Sequence, residues 1–176
     1  MTRTPILIIG LFLLFTWQTA AADTVYQTRE DFLHEAFGAQ LPNPQKLWLS
    51  GARKQGVRAI LGHRDHPLRM RYWRRDGRTA WILEEIGKVK PITVGFVVAA
   101  GRIAAVRVLI YRESRRWEVR HPFFTEQFTG ARLVAGNTLD RPVDGISGAT
   151  LSVNALVRLA RLALYLHGEA MAAGGK

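Results

Sequence analysis

The chain has 176 residues, 48% of them hydrophobic and 22% charged, enough for one packed domain and far from a disordered composition. It has no cysteine, which excludes disulfides and thiolate metal sites, and its formal charge is +11. That balance calls for an anionic partner or an openly basic surface.

The first segment carries Arg3, an apolar run from Ile6 to Trp17 and small residues at Ala20, Ala21 and Ala22. This is the three-part pattern of a secretory signal peptide over residues 1–22, with cleavage expected between Ala22 and Asp23. The run is shorter than the roughly twenty residues a spanning helix needs, so a retained membrane anchor is the lesser alternative. A periplasmic or otherwise extracytoplasmic domain, 23–176, is expected to remain. Losing Arg3 leaves 24 basic against 14 acidic residues, a charge of +10. For an exported protein this points to an acidic partner or a membrane surface, and away from nucleic acid.

"TREDFLHEAFG" reads as a short amphipathic helix, capped by Thr28, with Phe32, Leu33, Ala36 and Phe37 on one face and Gly38 at its end. After the break at "LPNPQ", residues 46–61 give a weaker helical pattern through Leu47, Leu49, Ala52, Val57, Ile60 and Leu61, interrupted by Gly51 and Gly56. The period then changes to two. "LRMRYWRRDGRTAWILEEIG" predicts a hairpin turning at Asp76-Gly77. A second hairpin, with arms Thr93–Ala99 and Ile103–Tyr111, is expected to turn near Gly101. Together they predict a four-stranded antiparallel meander. Residues 112–143 have little period. The clearest helix is last, with Leu151, Ala155, Leu159, Leu162 and Leu166 on one stripe and Gly168 as the expected stop. The fold class is α+β: one domain, the meander packed with N-terminal helices and the C-terminal helix.

The head of that helix, "DGISGATLSVNAL", holds the densest chemistry. Ser147 suits an N-cap, and Gly145 and Gly148 permit conformations or close approaches that a Cβ would forbid. Ala149 keeps the approach clear, and the hydroxyls of Ser147, Thr150 and Ser152 are expected around one spot. A helix start of this kind suits a phosphate.

Asp144, then Ser147-Gly148-Ala149-Thr150, with Ser152 just after, resembles the flavinylation motif of the FMN-binding domain family. That family includes the flavoprotein subunits of the Rnf and sodium-pumping NADH:quinone oxidoreductase complexes. The resemblance spans about residues 91–166, through "GRIAAVRVLIYRES", "FTEQFTG" and "VDGISGAT"; the N-terminal half, to about Gly87, matches no comparable motif. It implies covalent FMN, joined by a phosphoester to Thr150 by a flavin transferase that uses FAD and magnesium. It also implies cofactor contacts from Asp144, Gly145, Ile146, Ser147, Gly148, Ala149, Ser152, Glu113, Ser114 and Phe124. Phe123, Trp117 and Tyr165 are further candidates for the flavin ring, though each aromatic equally suits core packing. Members often carry Glu-Thr followed soon by glycine; here Glu113-Ser114-Arg115-Arg116-Trp117 keeps a hydroxyl and lacks the glycine.

The expected function is electron relay between membrane redox partners, with a membrane-bound haem or iron–sulfur protein as partner. Two alternatives stand beside it: a flavin-dependent reductase of a small extracytoplasmic acceptor, and a non-catalytic binding or assembly module. "RMRYWRRDGR", with Arg69, Arg71, Arg74, Arg75 and Arg78, fits a solvated sheet face or a docking surface. His63, Asp65 and His66 of "GHRDHP" have a spacing that can bind metal but read better as an ordinary loop.

Overall fold

The computed structural model describes residues 23–113 and 117–174. Residues 1–22, where the leader is expected, Ser114 and the side chain of Trp117 lie outside the described residues. The fold is a single α+β domain: one six-stranded, wholly antiparallel sheet with helices on both faces.

In chain order the sheet strands are β1 (Thr24–Val25), β2 (Gln45–Trp48), β3 (Arg69–Arg75), β4 (Arg78–Ile86), β5 (Pro91–Ala99) and β6 (Arg102–Tyr111). Their spatial order is β1-β6-β5-β4-β3-β2. The predicted meander is β3 to β6, and the two short strands close its edges. Both predicted turns carry two successive residues in the left-handed region, Asp76-Gly77 and Ala100-Gly101, which matches the twist of the hairpin arms. A small second sheet pairs β7 (Leu133–Val134) with β8 (Thr138–Leu139).

Helix α1 (Arg29–Phe37) starts as expected: the Thr28 hydroxyl accepts from the Asp31 amide at 3.1 Å. Its apolar side meets Trp73, Ala80, Val97 and Leu109 on one face of the sheet. Gly95 is required there, because a Cβ would stand 2.7 Å from the Phe32 ring. Helices α2 (Gly51–Leu61) and α4 (Thr150–Ala173) cover the opposite face, where Trp81, Phe96, Ile103, Leu156, Leu159 and Leu162 are fully buried. The segment between β6 and β7 winds through short turns of 3₁₀ helix and α3 (Pro122–Thr125).

Two boundaries differ from the sequence reading. Residues 45–48 are a strand, because Leu47 points into the core while Lys46 and Trp48 face outward; the helix begins only at Gly51. The last helix passes through Gly168 to Ala173. His167 and Ala170 are buried beyond the expected stop, and Arg74 of β3 donates to the Ala170 carbonyl at 3.2 Å. A glycine inside a helix costs about 1 kcal/mol relative to alanine, and this packing offsets it.

Candidate functional site

Helix α4 begins at Thr150, not at Ser147. Ala149 occupies the N-cap position and provides no side-chain cap. Ser147 is instead consumed by a tight turn in which the Ala149 amide donates to the Ile146 carbonyl at 2.9 Å, with Gly148 at φ +74°. The first turn of α4 contains no acidic residue, so no carboxylate of that turn neutralises its positive end. Ala149 is buried and pins the turn to the core, and Ile146 packs against the same cluster. Outside the turn the space is open: a Cβ on Gly145 would meet nothing within 4 Å.

The hydroxyls do not share one spot. Thr150 is exposed at the first helical position, whereas Ser152 is buried and shares a hydrogen bond with Tyr111 at the end of β6. Two residues on a helix stand roughly 200° apart, so when one faces solvent the other faces the sheet. Ser152 Oγ also packs beneath Gly87, where a Cβ would come within 3.3 Å of it. Tyr111, in turn, is held above the ordinary tyrosine range by burial.

Glu113 supports this head from the side. One of its carboxylate oxygens accepts from the backbone amides of Lys88, Val89 and Lys90 at 2.8, 2.6 and 2.9 Å. Partial burial would raise its pKa, but those amides together hold it below the ordinary glutamate value. The clamped turn continues from Gly87, so Glu113 reaches α4 through the β4–β5 turn. Asp144 is exposed, and its backbone amide donates to Gln127 Oε1 at 2.7 Å. That bond joins the motif to the segment carrying Phe123 and Phe124. Phe124 is fully buried, edge-to-face with Phe128 at 5.6 Å, whereas Phe123 is 61% exposed and stacks on His121 at 6.1 Å. Tyr165 sits between α4 and Gly56 of α2.

Tyr111, Gln127 and the amides of 88–90 were not among the sequence candidates. Tyr111 looked like the end of an apolar strand, and backbone amides leave no trace in residue identity. The chemistry suits a phosphate group: an uncapped helix end, a left-handed glycine, a small buried residue and an exposed hydroxyl stand in consecutive positions.

Residues 87–165 match the family model for the FMN-binding domain. This segment is an FMN-binding domain. It runs from the clamped turn at Gly87 through β5, β6 and the irregular segment into α4, and the match supports a flavin-binding protein. No curated protein and no solved structure matches the chain.

Elsewhere, His63 Nε2 lies 3.1 Å from Glu85, which also takes Arg158 at 3.3 Å. No group of three or more metal-ligating side chains occurs among the described residues. No helix among them is long and apolar enough to cross a membrane.

Proposed function

We propose that the chain is an exported electron-transfer flavoprotein whose FMN is esterified through its phosphate to the Thr150 hydroxyl. The observation that carries this reading is the exposure of Thr150 at the head of an uncapped helix, with its neighbour hydroxyl Ser152 turned inward and bonded. An ester phosphate at that position remains anionic beside the positive helix end, a favourable placement of about 0.3–1 kcal/mol at an exposed site. Ala149 adds only a methyl beside it, Glu113 braces the helix head through the β4–β5 turn, and Tyr111 does so through Ser152. Covalent attachment would keep the cofactor from being lost after export.

The bound flavin would supply one- and two-electron redox chemistry, and the chain would supply attachment and orientation. Relay between membrane partners follows from that division, with a flavin transferase for maturation and a membrane-bound haem or iron–sulfur protein in the chain.

The test is to express the chain with its leader and a flavin transferase, then denature it and examine the gel band for flavin fluorescence. Wild type is expected to glow and Thr150→Ala to stay dark. A dark wild-type band, or a fluorescent Thr150→Ala band, refutes the attachment. Steady turnover of a soluble acceptor by the isolated protein would replace relay with a reductase function.

A further inference from the structure

The five arginines of "RMRYWRRDGR" divide by what they touch. Arg75 donates to the carbonyls of Phe37 and Gln40, and Arg78 to that of Ala36, so both close the C-terminal end of α1. Arg74 meets the Ala170 carbonyl near the end of α4. These three bind helix C-termini, where cations are favoured. Arg69 and Arg71 do not. Together with Lys46 and Arg29 they line a cleft of about 330 Å³ floored by Trp73 and Ile82, on the sheet face that also carries α1. All four cations are exposed, and none has a hydrogen-bond or ion-pair partner among the described residues.

Their placement works against the fold. Lys46 and Arg71 lie directly opposite each other on β2 and β3, a destabilising pairing of like charges. Arg29 opens α1, where a cation opposes the helix dipole. Of the two acids in the adjoining cleft, Glu84 is already engaged by Thr93 at 2.6 Å and by Arg112 at 3.6 Å, and Asp65 pairs with none of the four cations. Choices that cost stability and converge on one cleft mark a surface shaped for something outside the chain. Beside the cations, at the open edge, Trp48 is 56% exposed with Arg69 over its ring at 5.5 Å, and Leu68 is exposed at the same end of the β2–β3 pair. A tryptophan among snorkelling cations is the composition of a membrane-interface contact.

We propose that this face docks on a membrane surface, with Arg29, Lys46, Arg69 and Arg71 binding the phosphates of anionic phospholipids and Trp48 entering the interface. The face lies opposite the one that holds α4, so docking would leave Thr150 and the flavin helix unobstructed. The inference does not depend on covalent attachment.

The experiment uses the protein as isolated after export and measures cosedimentation with vesicles of phosphatidylcholine alone or mixed with phosphatidylglycerol. The ratio of the two affinities isolates the headgroup charge from any contribution of the N-terminal segment. Lys46→Gln with Arg71→Gln is expected to reduce that ratio by about twenty-fivefold, at about fivefold per cation near the surface. Lys54→Gln with Lys90→Gln, which removes equal charge elsewhere, is expected to change it far less. Both double variants should keep the wild-type melting temperature or exceed it. Trp48→Phe should remove most of the vesicle-induced blue shift in tryptophan emission.

Equal losses in the two double variants, or no preference for the anionic vesicles, would overturn the proposal. So would binding to soluble polyglutamate that depends on Lys46 and Arg71 while vesicles are ignored, since the face would then serve an acidic protein.

Discussion

Replacing Gly56 by alanine sets two known effects against each other in α2. An interior helical glycine gives way to alanine with a gain of about 0.5–1 kcal/mol, through propensity and a less flexible unfolded chain. At this position, however, the new Cβ would stand 3.0 Å from Tyr165 Cε1 and closer still to its Cζ and Oη. A tyrosine ring cannot yield by bending, so it must rotate away from the α2–α4 contact, where its hydroxyl reaches the Arg53 carbonyl at 3.5 Å. Overpacking of this kind costs about 1–3 kcal/mol. The steric effect should win, and Gly56→Ala should destabilise the domain by about 1 kcal/mol, a fall in Tm of about 2–4 °C at this size. In a Tyr165→Ala background the ring is gone and only the helical gain remains. There the same substitution should stabilise by about 0.5–1 kcal/mol. Urea unfolding of the four proteins in the cycle measures this, and the diagnostic is a change of sign. A stabilising effect of Gly56→Ala in the wild-type background would mean that Tyr165 does not fill the space against α2. Something other than the Tyr165 ring would then set the spacing of α2 and α4.

Three further outcomes follow from the helix head and the buried polar groups. Ser152→Ala should lower stability by about 1 kcal/mol through the lost bond to Tyr111 while leaving flavin on the gel band; Thr150→Ala should do the reverse in both measurements. Glu113 has its pKa lowered in the folded state, so its stabilisation is present above the unfolded value of about 4.3 and is lost as pH falls through the lower folded value. Thermal melts between neutral and acid pH should therefore show a shallower acid decline in Glu113→Gln than in wild type, and equal slopes would refute the amide clamp. His167 is held below its ordinary value by burial and then by Arg74, while its Nδ1 lies 2.8 Å from the Thr79 hydroxyl. The unfolded chain then takes up a proton before the folded one does. Stability should thus fall as pH drops below about 6.5, and His167→Gln should flatten that slope whatever its stability at neutral pH.

The parts of this fold that could be read from sequence are those in which local signals agree. β3 to β6 alternate with period two and turn at Asp76-Gly77 and Ala100-Gly101, so pattern and turn chemistry point the same way. β2 was hidden because Leu47 and Leu49, whose spacing of two is that of a strand, run directly into the helical pattern of Val57, Ile60 and Leu61. What decides is its pairing with β3, a contact more than twenty residues away in sequence. Gly168 carries the local mark of a helix end, yet burial on either side carries α4 past it. At the site, the motif itself was legible and its geometry was not. A Ser-Gly pair before an apolar stripe looks like a cap; only the left-handed Gly148 shows that the serine lies in the turn and the cap is Ala149. The role of Glu113 was beyond reach for a plainer reason. Its partners are backbone amides 23 to 25 residues upstream, and amide direction is not encoded in residue type.

The same geometry explains why one hydroxyl of three is suited to modification. A modified side chain must reach a transferase's active site, and afterwards must hold a charged group without strain to the core. Ser152 is occupied in supporting the fold: its burial, its bond to Tyr111 and its contact beneath Gly87 would all be broken by esterification. Ser147 sits in the turn, before the helix has begun, and so does not occupy the first helical position. Thr150 alone combines exposure with the first helical position, where the dipole favours an anion. The buried residues Ala149 and Ser152 on either side fix the rotation of the helix, and hence the outward direction of Thr150. A one-residue slip of α4 would bury the proposed attachment point and expose a core contact. The tight turn at Gly148 and the clamp from Glu113 would therefore serve the proposed attachment site as much as the fold.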